Sequence, residues 1–253
     1  MKKKLILVTA LAGLFLLGGC QSGNSATEEK VLRVGTEGTY APFSYRNEEN
    51  ELVGYDVEVA EAVAEKIGYQ VEFVDAPWDS MLAAFDAEKS DVIFNQVSIT
   101  DERKEKYDFT IPYSVSHASL ITNEADDTIQ SFDDLKGKKS AQSLTSNYAV
   151  LAEEYGAELV STDGFSKSAE LVANGQADAT LNDDVTYYDY INQQPDAPLK
   201  LVQVSDETTE VGAMLHKGNE ELIEEINQAL QELKDDGTLT KLSTKYFDKD
   251  ISQ

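Results

Sequence analysis

"AEKSDVIFNQ", residues 87–96, and "ANGQADATLND", residues 173–183, have the same form. Each is a helix end, a turn, an Asp, a short apolar strand, then Asn beside another polar residue. Each follows a short amphipathic stretch, "WDSMLAAF" (78–85) or "SKSAELVA" (166–173). A chain that builds this unit twice is expected to fold as two lobes of similar topology, each ending a strand with polar groups. In open α/β sheets ligands bind beyond the carboxyl ends of the strands. Two such ends facing one another would make a cleft.

Outward from these units, strand-like and helix-like patterns alternate. "VLRVGT" (31–36) is strand-like. Val57, Val59, Ala60, Val63, Ala64 and Ile67 form a helical stripe, with Asp56 as N-cap and Gly68 as stop. "QVEFV" (70–74) is a strand, and Trp78 to Phe85 a short helix with Met81, Leu82 and Phe85 inward. "DVIF" (91–94), "KKSAQS" (138–143), "AELVS" (157–161) and "ADATLN" (177–182) are further strands. Helices begin near Asn147, Ser166 and Asp184. Leu222, Ile223, Ile226, Leu230 and Leu233 mark an amphipathic helix that Gly237 stops. The alternation predicts an α/β fold with parallel sheets covered on both faces.

With 253 residues, the chain has room for one large domain or two small ones. Its net charge is −26, and nothing basic clusters beyond the N-terminus. Nucleic acid is therefore excluded as a partner, since phosphate binding needs positive charge. Met1 to Lys4 is basic and Leu5 to Leu17 almost wholly apolar, which reads as a secretory signal over residues 1–19. It ends in "LLGGC", whose Cys20 is the only cysteine and so cannot form an internal disulfide. This stretch resembles the lipobox of bacterial lipoproteins, in which the Cys becomes the new N-terminus and carries lipid. That implies anchoring at the extracellular face of the membrane. Residues 21–30, "QSGNSATEEK", read as a flexible tether. His117 and His216 stand alone, so neither a metal nor a cofactor is expected.

"NQVSITDERKEKYDFTIPY" (95–113) raises a different question. An apolar strand runs into Asn95, Gln96, Ser98 and Thr100, all hydrogen-bonding and none charged. A helix then starts at Asp101, with Arg103 in its first turn, where the helix dipole disfavours a cation. A guanidinium fork reaching back would match a carboxylate bidentately. The alternative is a salt bridge to Asp101 or Asp108, and the pattern leaves both open.

From about Val31 to Phe247 the chain resembles the type 3 family of extracellular solute-binding proteins, which serve amino-acid ABC importers. Six stretches carry the resemblance in order: "GTEGTYAPFSY" (35–45), "ELVGYDVEVAEAVAEKIG" (51–68), "SITDERKEKYDFTIPY" (98–113), "FDDLKGKK" (132–139), "GQADATLND" (175–183) and "KDDGTLTKLSTKYF" (234–247). The resemblance implies the periplasmic-binding-protein type II fold, two lobes closing like a flytrap, with two hinge crossovers near residues 117–122 and 207–213. Lobe 1 would comprise residues 31–117 and 210–253, and lobe 2 residues 118–209, with a tether over 20–30. It implies a monomer that hands an amino acid to the transmembrane subunits of an ABC permease.

Laid onto this sequence, the resemblance implies that Arg103 binds the ligand α-carboxylate. Ser98 and Gln96 add hydrogen bonds to main-chain groups. Ser146 and Asn147, at a helix start, supply further N–H donors to the carboxylate. Asp183 accepts from the α-ammonium, with Asp184 beside it as the rival assignment. Tyr40 and Trp78 sandwich the ligand, and Glu37 contacts a polar side chain. Blander roles stand beside these: an N-cap for Ser146, a turn for Tyr40, a core position for Trp78, a solvated acid for Glu37. "NQV" (95–97) resembles the branch that binds cystine or cysteine, and the amides of Asn95 and Gln96 would suit a ligand with more than one head group. Glutamine and basic amino acids stay open. The fold also resembles that of cyclohexadienyl dehydratases, but no nucleophile–base pair is visible. The sequence therefore favours a binding receptor over an enzyme.

Overall fold

The computed structural model describes residues 30–252. The expected signal, the lipid attachment at Cys20 and the tether up to residue 29 lie outside the described residues. Lys30, expected to end that tether, opens the first strand.

In chain order the elements are β1 (Lys30–Thr36), β2 (Thr39–Tyr40), β3 (Ser44–Arg46), β4 (Leu52–Val53), α1 (Tyr55–Ile67), β5 (Tyr69–Asp75), α2 (Trp78–Asp86), β6 (Val92–Ile93), α3 (Asp101–Lys106) and β7 (Tyr107–Phe109). There follow β8 (Ser114–Asn123), β9 (Lys139–Gln142), α4 (Asn147–Glu154), β10 (Glu158–Ser161), α5 (Phe165–Ala173), β11 (Ala179–Asp183), α6 (Asp184–Gln193) and β12 (Leu199–Val211). The chain closes with β13 (Met214–His216), α7 (Glu220–Asp235) and α8 (Thr238–Phe247).

Two five-stranded sheets form the two lobes, ordered β5-β1-β6-β13-β7 and β10-β9-β11-β8-β12. A small sheet, β2-β3-β4, adds to the first lobe. The expectation of parallel sheets is corrected: both are mixed. β1 runs parallel to β5 and β6, and β9 to β10 and β11. β13 and β8, by contrast, pair antiparallel with their neighbours. These antiparallel strands flank the two passages of the chain between sheets. β7 leads into β8, β12 returns to β13, and the passages lie side by side, with Ser114 opposite Val211. The first passage comes before residues 117–122, where it was expected, because Ala118 to Thr122 are already paired with β11 in the second sheet.

The helix expected from the Val57–Ile67 stripe forms and buries Val57, Val59, Ala60, Val63 and Ala64. Its N-cap is not Asp56 but Gly54, at φ 135°, where a Cβ would stand 2.2 Å from the Phe43 carbonyl oxygen. Only glycine fits so close an approach. Asp56 lies inside the first turn and is fully buried. α7 buries Ile226, Ala229, Leu230 and Leu233 in the same core as the α1 stripe. The second lobe packs around Leu120, Ile129, Leu135 and Leu181. Met81, Phe85, Ile93 and Met214 pack beneath α2, while Leu82 is only partly buried.

Candidate ligand-binding cleft

The two echoed units share one pair of backbone-anchored bonds, to which Arg33 adds a guanidinium pair with Asp91. The Asp91 N–H donates to the Arg33 carbonyl at 2.8 Å, and the Asp91 carboxylate accepts the Arg33 N–H at 2.9 Å. In the second lobe Asp178 does the same with Lys139, at 2.8 and 2.7 Å. Each Asp thus registers a short strand against its parallel neighbour and carries the following polar residues to the facing strand ends. Between them lies a cavity of about 470 Å³, part of it open to solvent. It is lined by Glu37, Tyr40, Trp78, Asn95 and Gln96 from one side and Ser146, Asn147 and Asp183 from the other, eight of the residues expected from sequence.

On the first side, the Asn95 carbonyl oxygen accepts from the Glu37 N–H at 2.8 Å, the Ser44 hydroxyl at 2.9 Å and the Thr36 hydroxyl at 3.0 Å. Its amide donates to the Glu37 carboxylate at 2.8 Å. Asn95 therefore orients Glu37. Burial pushes the Glu37 carboxyl up to about 7, against the pull of Asn95 and the backbone N–H of Trp78. Gln96 adopts φ 48°, a left-handed conformation that costs a non-glycine residue about 1 kcal/mol or more. From there it donates to Asp56 at 2.8 Å and accepts from the Ser114 hydroxyl at 3.0 Å. Tyr113 also donates to Asp56, at 2.9 Å, and burial pushes the Asp56 carboxyl up to about 7. Both amides are thus engaged by the scaffold, which removes them as a direct argument for a ligand with extra polar groups.

On the second side, Asp183 closes β11 and is fully buried. Its two carboxylate oxygens accept from the Tyr148 hydroxyl at 2.5 Å and, across the cleft, from the Tyr40 hydroxyl at 2.6 Å. Burial raises the Asp183 carboxyl, opposed by these hydrogen bonds. Asp184 points elsewhere and pairs with Lys249 at 3.4 Å. Ser146 is the N-cap of α4, accepting the Ala149 N–H at 3.0 Å. Its own N–H donates to the Ser143 carbonyl at 3.0 Å, so the expectation that this N–H faces a ligand anion is corrected.

Arg103 and Ser98 are not among the residues lining this cavity. Arg103 lines an adjoining groove that shares Ser146, Asn147 and Tyr148 with it. Its guanidinium lies 5.4 Å from the Trp78 ring centre and donates to the carbonyls of Ser98 at 3.0 Å and Thr145 at 3.4 Å. Ser98 is buried, so its contribution here is that backbone oxygen. The two acids considered as partners for Arg103 are taken: Asp101 pairs with Lys104 at 3.6 Å and Asp108 with Lys217 at 2.8 Å. Burial pulls the Arg103 guanidinium down to about 10. Among the described residues Arg103 forms no ion pair, though Glu102 acts on it electrostatically, and a part-buried cation held by carbonyl dipoles and a ring face can take an anion.

Sequence reasoning missed Gln142, Ser143, Tyr148, Phe165, Ser168 and Asn182, which also line the cavity. Tyr148 follows an expected site residue directly, and Asn182 precedes another. Their polar or aromatic character beside a strand end was the available signal.

A two-lobed α/β protein with a polar cleft between its strand ends, a cation without an ion pair among the described residues on one side and a buried carboxylate on the other defines a class of small-molecule receptor. Residues 32–249 match the bacterial extracellular solute-binding proteins, family 3, and the chain belongs to that family. It is 37% identical to the L-cystine-binding protein TcyA of Bacillus subtilis over all of both chains. It is 46% identical to the L-cystine solute receptor of Neisseria gonorrhoeae in an unliganded open conformation, with a TM-score of 0.58 over 89% of this chain and 96% of that one. An ancestral arginine-binding protein bound to arginine, 36% identical, overlays better, with a TM-score of 0.81 over 87% of this chain and 99% of that one.

Proposed function

We propose that the protein is a lipid-anchored extracellular receptor that closes on a polar amino acid, most readily L-cystine, and delivers it to an ABC permease. It binds and does not catalyse. The observation that carries this reading is the charge layout: a part-buried Arg103 that forms no ion pair among the described residues, beside one mouth of the cleft, and the buried Asp183 in the opposite wall. An α-amino acid head offers one anion and one cation about a single carbon, which matches that pair. Trp78 and Tyr40 flank the ligand, Asn147 and the α4 N-terminus assist the carboxylate, and Glu37 meets the distal half. A cystine ligand brings a second ammonium group, which the buried Glu37 carboxyl would hold by ionising against it. The likeness to cystine-binding relatives supports this choice over glutamine or a basic amino acid. In this reading residues 31–117 with 210–253 make one lobe and residues 118–209 the other, and Cys20 carries the lipid.

Thermal-shift screening against the amino acids and cystine tests the ligand, since a ligand bound only to the folded state raises its melting temperature. L-cystine is expected to give the largest shift. A larger shift with arginine or glutamine and none with cystine would overturn the ligand assignment. Cys20→Ser is expected to release the protein from membranes with ligand affinity unchanged, and full membrane retention would refute the anchor.

A further inference from the structure

Several contacts join the lobes, the Lys249–Asp184 pair at 3.4 Å among them, and two sets of hydrogen bonds bear on the cleft. One runs through Tyr40, which lines the cavity and reaches Asn182 at 2.8 Å and Asp183 at 2.6 Å. The other stands outside the cavity. The Asp79 carboxylate accepts both the Thr145 N–H at 3.2 Å and the Thr145 hydroxyl at 2.5 Å. Asp79 is the second residue of α2, where a carboxylate is favoured by the helix N-terminus and stands preformed. Thr145 directly precedes Ser146 and Asn147, which line the cavity, and its carbonyl accepts from Arg103 at 3.4 Å. One carboxylate in the first lobe therefore fixes the turn that carries the second lobe's helix start, and that turn in turn holds the guanidinium.

We infer that Asp79 is a positioning residue that sets the lifetime of the closed cleft without touching the ligand: its two hydrogen bonds to Thr145 latch the lobes and hold the Ser146–Asn147 turn and the Arg103 fork in place. The inference rests on the reading that the cleft closes on an amino acid. It separates two contributions to affinity. Cavity residues act on the ligand, whereas Asp79 acts on opening, so its loss appears in dissociation and not in encounter. Asn in its place keeps an oxygen that can accept both bonds, and Ala keeps none.

The test uses Trp78, the only tryptophan of the chain, as a fluorescence reporter in stopped-flow experiments with L-cystine and L-arginine as probes. Asp79→Ala is expected to speed dissociation about tenfold and leave association within about twofold. Asp79→Asn is expected to stay within about threefold of the parent in both rates, since only the ionic part of the hydrogen bonds is lost. Thr145→Val, which keeps its N–H and loses its hydroxyl, falls between. Dissociation from Asp79→Ala at the parent rate overturns the latch, as does an equal loss in the association rate. If neither probe binds the parent, the amino-acid reading fails, and small-angle scattering of the ligand-free proteins decides the latch. A larger radius of gyration for Asp79→Ala than for the parent supports it, and equal radii overturn it.

Discussion

The strand ends after β6 and β11 begin alike and finish differently. Asp91 and Asp178 register their strands by the same pair of backbone-anchored bonds. Beyond β6, Asn95 and Gln96 turn back into their own lobe, to Glu37, Ser44, Asp56 and Ser114. At the end of β11, Asn182 and Asp183 face the opposite lobe through Tyr40. One unit, used twice, thus gives a cross-braced floor on one side and a face that meets its partner across the cleft on the other. The floor's bonds all lie within one lobe, so they do not depend on the other. The opposite face is complete only when the lobes meet.

The largest effect that would break this contrast is at Asp183. Removing one partner of a desolvated charge pair costs roughly 2–5 kcal/mol, or about thirty-fold to several thousand-fold in affinity. Asp183→Ala is expected to fall in that range by titration calorimetry, and to unfold near the parent's midpoint. Asp184→Ala, which loses a 3.4 Å pair to Lys249 of the other lobe outside the cavity, is expected to lose far less affinity. Equal losses at the two positions would erase the distinction between the cleft face and the lobe surface.

The floor is expected to reveal itself through pH. Glu37 and Asp56 are both pushed up to about 7 by burial, so each ionises more readily in the unfolded chain. Their contribution to stability is whole below about pH 4 and is lost as pH rises through about 7, on the order of 3 kcal/mol for each group. The ligand-free protein should therefore unfold at lower denaturant concentration at pH 9 than at pH 5. Glu37→Gln and Asp56→Asn should each flatten that dependence. A parent whose stability changes little between these pH values would place both carboxyls in contact with water.

Asn95→Ala sharpens the comparison with a smaller effect. It leaves the Glu37 N–H and two buried hydroxyls without their shared acceptor, a cost of about 2 kcal/mol in folding stability. Asn182→Ala removes an acceptor shared by Tyr40 and the Asp183 N–H, and is expected to cost about 1 kcal/mol while lowering affinity more than stability. Chemical denaturation of both variants, with and without L-cystine, separates the two outcomes. The reverse ranking would mean that the β11 end is the braced one.

Periodicity carried most of the fold. The α1 and α7 stripes, the starts of α4 and α6, and the repeated strand units were legible because each is a local pattern with its own stop signal. β2, β3, β7 and β13 were not, since strands of two or three residues are too short to show alternation. β8 and β12 escaped because they run long against each other with irregular register, between Leu201 and Gln203 and between Val204 and Thr208, which breaks the alternation. That also hid the mixed sheets. Asp56 was misplaced as a cap because a first-turn acid and an N-cap acid look alike in sequence, and only the close approach at Gly54 separates them. Within the cleft, residue types were legible and hydrogen-bond direction was not: nothing local shows that Asn95 faces Glu37 or that Asp183 lies between two tyrosines.

The central claim is that the cleft clamps an α-amino acid head between Arg103 and Asp183, and titration of the Arg103→Ala variant tests it most directly. Lys104→Ala, one residue along α3 and paired only with Asp101, is the matched control for charge. With L-cystine as titrant, Arg103→Ala is expected to lose about thirty-fold or more in affinity while staying folded, and Lys104→Ala to bind as the parent. Parent-like affinity in Arg103→Ala would contradict the account and leave that part-buried guanidinium as a scaffold group held by the carbonyls of Ser98 and Thr145.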